Sequence, residues 1–205
     1  MAESVALIDY GAGNLHSVEN ALRRVGADVA LVSDGNALAQ AERIVLPGVG
    51  AFGACYNGLA SLPGMIEALE SHVLKDRVPF LGICVGMQLL ADKGLEHGET
   101  PGLGWIGGEV RALEPSDHVK VPHMGWNDVV VADDASGLVH PGEAYFLHSY
   151  AFDVANNAHV AARTDHGGAV TAAVARDNIL GVQFHPEKSQ AYGLALLERF
   201  LKWKP

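Results

Sequence analysis

The sequence predicts an α/β fold of three layers: a mostly parallel central sheet with helices on both faces, plus a smaller antiparallel sheet. Three observations carry this. Apolar runs of strand length alternate with amphipathic helical patterns through the first half, the rhythm of βαβ crossovers. The second half is rich in short, alternating strand patterns suited to hairpins and edges. Finally, 205 residues with 49% hydrophobic and 19% charged side chains can bury one core without disulfides or structural metals. Residues 1–205 are expected to form one domain.

The elements follow in order. VALIDY (Val5 to Tyr10) is short and apolar, as a buried strand is. Gly11-Ala12-Gly13 leads to Asn14, a favoured N-cap, and Leu15, Val18, Leu22 and Val25 then recur at helical spacing until Gly26. Asp28 to Ser33 and Arg43 to Pro47 read as strands. A mixed helical stretch then runs to about Arg77, and VPFLGI (Val78 to Ile83) is another buried strand. WIGGEVRAL, WNDVVV, YFLHSYAFDV, HVAAR and AVTAAVA supply the later strands, each read as one piece. NILGVQF (Asn178 to Phe184) returns to a buried strand, and Leu194, Leu197 and Leu201 mark a last helix ending at Trp203.

Charge and cysteine content narrow the function. With 14 basic and 24 acidic residues the net charge is −10, which disfavours nucleic acid or an anionic membrane as the main partner. It also makes this chain a poor sole binder of a multiply phosphorylated substrate. The first basic residue is Arg23, so no signal peptide is expected, and the apolar stretch from Val78 to Ala91 is too short to span a bilayer. Cys55 and Cys84 make no disulfide framework. A reduced, cytoplasmic setting is the expectation.

The most informative segment is Gly82-Ile83-Cys84-Val85-Gly86-Met87-Gln88. A buried strand runs straight into a G-x-C-x-G turn and a helix, the arrangement of a nucleophile elbow with sulfur in place of oxygen. The glycines remove side chains that would crowd the turn, and the positive end of the helix favours negative charge on the sulfur. The N–H of Val85 is placed to receive an oxyanion, and Gln88 lies on the same helix face as Cys84. The competing reading of Cys84 is a small buried core residue.

A thiolate nucleophile needs a base, and the base needs an orienter. Of ten histidines, His185 stands at the carboxyl end of a buried strand, where open α/β sheets present their sites, and Glu187 is two residues on. A second oxyanion donor is sought at Pro47-Gly48-Val49-Gly50, whose glycines leave backbone N–H groups accessible; an ordinary turn explains this segment equally well on its own. Two signals fail. Gly11-Ala12-Gly13 lacks the third glycine of a dinucleotide fingerprint, having His16 there. His118 and His123 have no companion ligands, so no metal and no cofactor are expected.

PGVG, GICVGMQLL and QFHPEKS, in that order, resemble the class I (triad) glutamine amidotransferases over essentially the whole chain. Two further segments, DYGAGNLHSVENAL and KVPHMGWN, resemble the glutaminase subunits of imidazole glycerol phosphate synthase within that family. The resemblance implies a flavodoxin-like fold and a set of roles. Cys84 attacks the glutamine side-chain amide, His185 moves protons, Glu187 orients His185, and the backbone at Val49, Gly50 and Val85 forms an oxyanion hole. It implies that Gln88 contacts the substrate, that Glu96 pairs with its ammonium group, and that His148, Ser149 and Tyr150 meet its carboxylate end. From the residues alone, the alternative for Glu96 is a solvated loop acid, and plain strand alternation explains His148-Ser149-Tyr150 equally well. KVPHMGWN reads as a contact surface through His123, Met124, Trp126 and Asn127, with Asn14 added by the N-terminal segment; the alternative is that Trp126 packs in the core. The implied partner is a (β/α)8-barrel cyclase subunit, in a heterodimer.

Other readings share the elbow: a glutaminase serving a synthase for anthranilate, pyridoxal phosphate or guanylate, a free-standing thiol hydrolase, or a silent interaction subunit.

Overall fold

In a computed structural model the described residues are 3–117, 119–132 and 137–205. The chain runs β1 (Ser4–Ile8), α1 (Leu15–Arg24), β2 (Asp28–Val32), β3 (Arg43–Gly48), α2 (Phe52–Ser61), α3 (Met65–Leu69), β4 (Phe80–Cys84) and α4 (Val85–Gln88). It continues through β5 (Lys93–Gly94), β6 (Thr100–Pro101), β7 (Gly108–Ala112), β8 (His123–Val131), β9 (Gly142–His148) and β10 (Tyr150–Val154). The last elements are β11 (Val160–Asp165), β12 (Ala169–Arg176), β13 (Ile179–Val182) and α5 (Gln190–Lys202).

The apolar runs form the centre of a nine-stranded sheet ordered β2-β1-β3-β4-β13-β12-β11-β8-β9. Its first five strands are parallel and the rest join antiparallel, so the central sheet is mixed, with parallel pairing confined to one half. Every residue of β3, β4 and β13 is buried, as a strand covered on both faces requires. The smaller sheet, β10-β7-β5-β6, is also mixed, because β5 lies parallel to β7. The crossovers from β1 to β2 and from β3 to β4 move in opposite directions across the sheet. Right-handed crossovers therefore put α1 on one face and α2 with α3 on the other. Consistently, α1 packs against α5, and α2 against α3 and α4. Arg43, buried at the start of β3, donates to the carbonyls of Phe200 and Trp203 at the end of α5.

Four local expectations are corrected. Asn14 precedes α1 but makes no side-chain cap; its backbone (φ −85°, ψ 57°) is outside the extended region from which a cap side chain reaches the first amides. The mixed helical stretch is broken at Leu62-Pro63-Gly64, resumes as α3, and widens to a π turn over Glu70–Lys75. Trp105 and Ile106 are not strand residues, since both their amides donate to the Leu90 carbonyl. YFLHSYAFDV is two strands in two sheets: β9 pairs with β8, β10 with β7, and the change falls at Ser149.

Because β1, β3, β4 and β13 run parallel, their carboxyl ends share one edge of the sheet. Gly48 lies beside Cys84, and Val182 beside Ile83. No helix among the described residues is long and apolar enough to cross a membrane.

Candidate active site

Cys84 ends β4 with φ +55° and ψ −113°, a conformation that non-glycine residues rarely adopt and that costs on the order of 1–3 kcal/mol. The flanking glycines make the turn possible. A Cβ on Gly82 would lie 2.5 Å from the Gly86 carbonyl oxygen, and one on Gly86 would lie 1.9 Å from that of Leu46. Neither is sterically tolerable against fixed backbone. The turn therefore presses β3, β4 and α4 together and turns the Cys84 side chain toward a cleft of about 150 Å³. That cleft is lined by Val49, Gly50, Val85, Gln88, Glu96, Leu147, His148, Ser149, Tyr150, His185 and Lys188 as well as Cys84. All the residues expected at an oxyanion or substrate position thus border one space with the sulfur.

His185 follows the end of β13 and is fixed by its own backbone: its amide donates to the Tyr145 carbonyl, and its carbonyl accepts from Ser189 Oγ. Its ring Nδ1 is 2.8 Å from Glu187 Oε1, with both side chains buried. That leaves Nε2 for the sulfur side. Burial opposes charge on this imidazole, but interactions with Cys84 and Glu187 outweigh it and raise the pKa from 6.5 to about 9. A protonated imidazole between a carboxylate and a sulfur is thereby favoured at neutral pH. Glu187 Oε2 is buried with no hydrogen-bond partner, so this carboxylate is committed to one histidine.

The remaining cleft residues carry constraints that sequence spacing does not show. Gln88 uses both amide hydrogens on protein acceptors, the Tyr150 carbonyl and Gln183 Oε1, which leaves only its oxygen for a ligand. Glu96, which borders the cleft, accepts from the Phe52 amide through Oε2 at 2.7 Å, supplying α2 with the cap that Ala51 lacks. The Val49 carbonyl accepts from the Cys55 thiol, and the Pro47 carbonyl from the Tyr10 hydroxyl. Burial raises the pKa of both donors, which keeps them protonated and able to hold the Pro47–Gly50 segment. In the trans peptide joining Val49 to Gly50, the Gly50 N–H points away from the Cys55 sulfur.

Sequence reasoning overlooked Gln183, Lys188, Tyr10 and the role of Cys55. Gln183 is fully buried and its amide nitrogen lies 3.7 Å from Cys84 Sγ. Its signal is an amide inside the apolar run NILGVQF, which a buried strand tolerates only with partners. Lys188 borders the cleft with its ammonium 5.8 Å from the Tyr145 ring centre. Tyr10 and Cys55 carry no recognisable motif.

The expected contact surface divides. Met124 (65% exposed) and Trp126 (47%) project from one face of β8 together with Val130, and Trp126 does not pack in the core. His123 faces the other way and is buried between the rings of Phe146 and His166. Asn14 and Asn127 are half-buried. Among the described residues no group of His, Cys, Asp and Glu side chains could hold a metal ion; His118 lies outside them.

Comparison with known proteins shows the family to which the chain belongs. The family model "Glutamine amidotransferase class-I" matches residues 6–203. A protein from Zymomonas mobilis named imidazole glycerol phosphate synthase subunit HisH is 57% identical over 100% of this chain and 98% of its own. Proteins of the same name from Cereibacter sphaeroides and Caulobacter vibrioides are 53% and 51% identical, covering 97% and 99% of this chain and 98% and 100% of theirs. Among solved structures, a glutamine amidotransferase superposes with a TM-score of 0.76 at 20% identity, covering 97% of both chains. PurLQS from Thermotoga maritima gives 0.72 at 18%, covering 98% of both. These two likenesses concern the fold alone. With a family model spanning nearly all its length and full-length relatives above half identity, the chain belongs to the class-I glutamine amidotransferases, in the family of imidazole glycerol phosphate synthase HisH subunits.

Proposed function

We propose that the chain hydrolyses glutamine to glutamate and ammonia through Cys84, His185 and Glu187. It would pass the ammonia to a (β/α)8-barrel cyclase subunit. The observation that carries the reading is the buried His185–Glu187 pair, Nδ1 to Oε1 at 2.8 Å, with His185 and Cys84 lining one cleft.

In this reaction Cys84 Sγ, as thiolate, attacks the side-chain amide carbon of glutamine. The carbonyl oxygen takes up the negative charge, and the backbone N–H groups of Val85 and of the Val49–Gly50 segment stabilise it; one such donor is typically worth about 3–4 kcal/mol. The imidazolium of His185 gives its Nε2 proton to the departing nitrogen, so ammonia leaves and a glutamyl thioester remains. His185, now neutral, takes a proton from water, whose oxygen attacks the thioester carbon. Collapse expels the thiolate and releases glutamate. Glu187 holds the imidazole through Nδ1 and stabilises its charge in both halves. Glu96 Oε1 pairs with the substrate ammonium, Gln88 Oε1 faces the substrate, and the Ser149–Tyr150 corner with His148 meets its carboxylate.

Residues 1–205 act as one glutamine amidotransferase domain, cytoplasmic, in a heterodimer. Met124 and Trp126 form part of the docking face, where exposed aromatic and Met side chains suit a partner, and Asn14 and Asn127 lie at its margin. The synthase so formed makes imidazole glycerol phosphate and an aminoimidazole carboxamide ribonucleotide. The net charge of −10 fits an arrangement in which the barrel binds the phosphorylated substrate.

The test is glutamate release by the chain alone and with equimolar cyclase subunit plus its ribonucleotide ligand. A large rise confined to the complex is expected, abolished by Cys84→Ala. Brisk, equal turnover in both samples would remove the partner from the reading, and turnover surviving Cys84→Ala would refute the triad.

A further inference from the structure

A file of hydrogen bonds runs from the half-buried Asn127 on β8 to the wall of the cleft. Asn127 Nδ2 lies 3.0 Å from His123 Nε2, His123 Nδ1 lies 2.9 Å from His148 Nε2, and His148 Nδ1 lies 2.9 Å from the Tyr150 carbonyl oxygen. The pairing of β8 with β9 sets His123 directly opposite His148. His123 is clamped between the Phe146 ring (4.6 Å between centroids) and the His166 ring (4.1 Å).

The direction of every bond in this file can be deduced. Burial lowers the pKa of His123 to about 4 and that of His148 to about 3, so both rings are neutral at neutral pH and each carries one N–H. The Tyr150 carbonyl can only accept, so the proton of His148 sits on Nδ1 and its Nε2 is a bare acceptor. His123 must therefore donate from Nδ1, which leaves its own Nε2 needing a donor. Asn127 supplies it. The amide cannot be turned round, because its second hydrogen goes to the Asp165 carbonyl (2.8 Å) and its Oδ1 accepts from the Asp128 amide (2.8 Å). The same Tyr150 carbonyl accepts from Gln88, which is joined through Gln183 to Cys84 Sγ.

We infer that Asn127 and His123 are positioning residues for the cleft: they hold His148 in its Nδ1–H tautomer and, through it, the Tyr150 carbonyl at the β9–β10 corner. The inference rests on the reading that this corner receives glutamine. It gives a second duty to two residues that the sequence assigned to a docking face. Asn127→Asp reverses the polarity at nearly constant shape. An acceptor then faces His123 Nε2, His123 moves its proton there, and two bare nitrogens confront each other across the 2.9 Å gap unless the pair takes up a proton.

The experiment is long-range 1H–15N correlation on the ¹⁵N-histidine-labelled full chain at neutral pH, with glutamine kinetics on the same variants in the presence of the cyclase subunit. Nδ1–H tautomers at both His123 and His148 are expected, that of His123 lost in Asn127→Asp, with KM for glutamine raised about ten-fold and kcat changed about two-fold or less. Asn127→Ala, which removes the donor without adding an acceptor, should raise KM by a smaller factor. An Nε2–H tautomer at His148 in the unmodified chain would overturn the inference. So would tautomers unmoved by Asn127→Asp, or a tautomer change that leaves KM untouched. The ring spectra do not depend on turnover, so failure of the triad reading, tested by Cys84→Ala, is seen separately.

Discussion

Replacing Glu187 by glutamine removes a charge from behind His185 while keeping its shape. The amide oxygen can occupy the Oε1 position and accept from Nδ1–H at 2.8 Å, and the amide nitrogen takes the Oε2 position, which has no partner to lose. The tautomer and ring orientation therefore survive and the electrostatic contribution alone is lost. The displacement of the His185 pKa from 6.5 to about 9 amounts to about 3 kcal/mol in favour of the imidazolium. Both side chains are buried, so little of this is screened by solvent. Burial itself pulls the other way, and Cys84 and Glu187 together sustain the charge against it, so losing the carboxylate charge removes a share of the support and the value should fall below 9. The imidazolium is then less stabilised, and kcat for glutamine should fall about 10-fold or more, with KM little changed.

The same shift has a stability consequence. A folded-state pKa above the unfolded one contributes stability that is fully present below 6.5 and is lost as the pH rises through about 9. The gap in urea midpoint between the unmodified chain and Glu187→Gln should thus be widest near pH 6 and close toward pH 9.5. Following the His185 ring signals through a pH titration is the direct assay. If His185 still titrates near 9 in Glu187→Gln, the carboxylate is not what sustains the charge, and the argument is wrong.

Gly86→Ala should cost about 3 kcal/mol of stability and slow alkylation of Cys84, because its Cβ would lie 1.9 Å from the Leu46 carbonyl oxygen and both are backbone-fixed; a variant of native stability and reactivity would refute the elbow geometry. Tyr10→Phe should lower stability by about 1–3 kcal/mol, read as a lower urea midpoint at constant m-value, since the buried Pro47 carbonyl loses its 2.7 Å donor; no change would mean that the bond is not formed in solution. Trp126→Ala should weaken binding of the cyclase subunit by about 2 kcal/mol, some 30-fold in Kd by titration calorimetry. Unchanged affinity would move the docking face away from β8.

What the sequence discloses and what it hides divide along a physical line. The elbow is legible because steric need is local: Gly82 and Gly86 sit two residues either side of Cys84, and the collisions that exclude a Cβ there involve the same turn and its neighbouring strand. The His185–Glu187 pair is legible for the same reason. The cleft's far wall is not. YFLHSYAFDV is rich in strand-forming aromatic residues and holds no glycine or proline, so nothing in it marks a break. It divides at Ser149 because β8 captures one half and β7 the other, and both captors are distant in the chain. Tertiary pairing decides where local propensity is silent.

That division is also what builds the site. A strand that continued in one sheet would carry His148 and Tyr150 on one side at a fixed spacing, with their backbone carbonyls engaged in the ladder. Leaving the ladder at Ser149 frees the Tyr150 carbonyl to accept from Gln88 and His148, and brings Leu147, Ser149 and Tyr150 to the border of the cleft that holds Cys84. Cys84 comes from the parallel half of the fold, where crossovers place strand ends together. The opposing wall comes from the point where the antiparallel half gives a strand to the smaller sheet. The histidine file crosses that junction, so the β8–β9 ribbon bearing Met124 and Trp126 cannot shift relative to β10 without disturbing hydrogen bonds at the cleft. If the proposed partner seats on that ribbon, it is coupled to the cleft that holds Cys84 through neutral rings whose donors and acceptors admit one order.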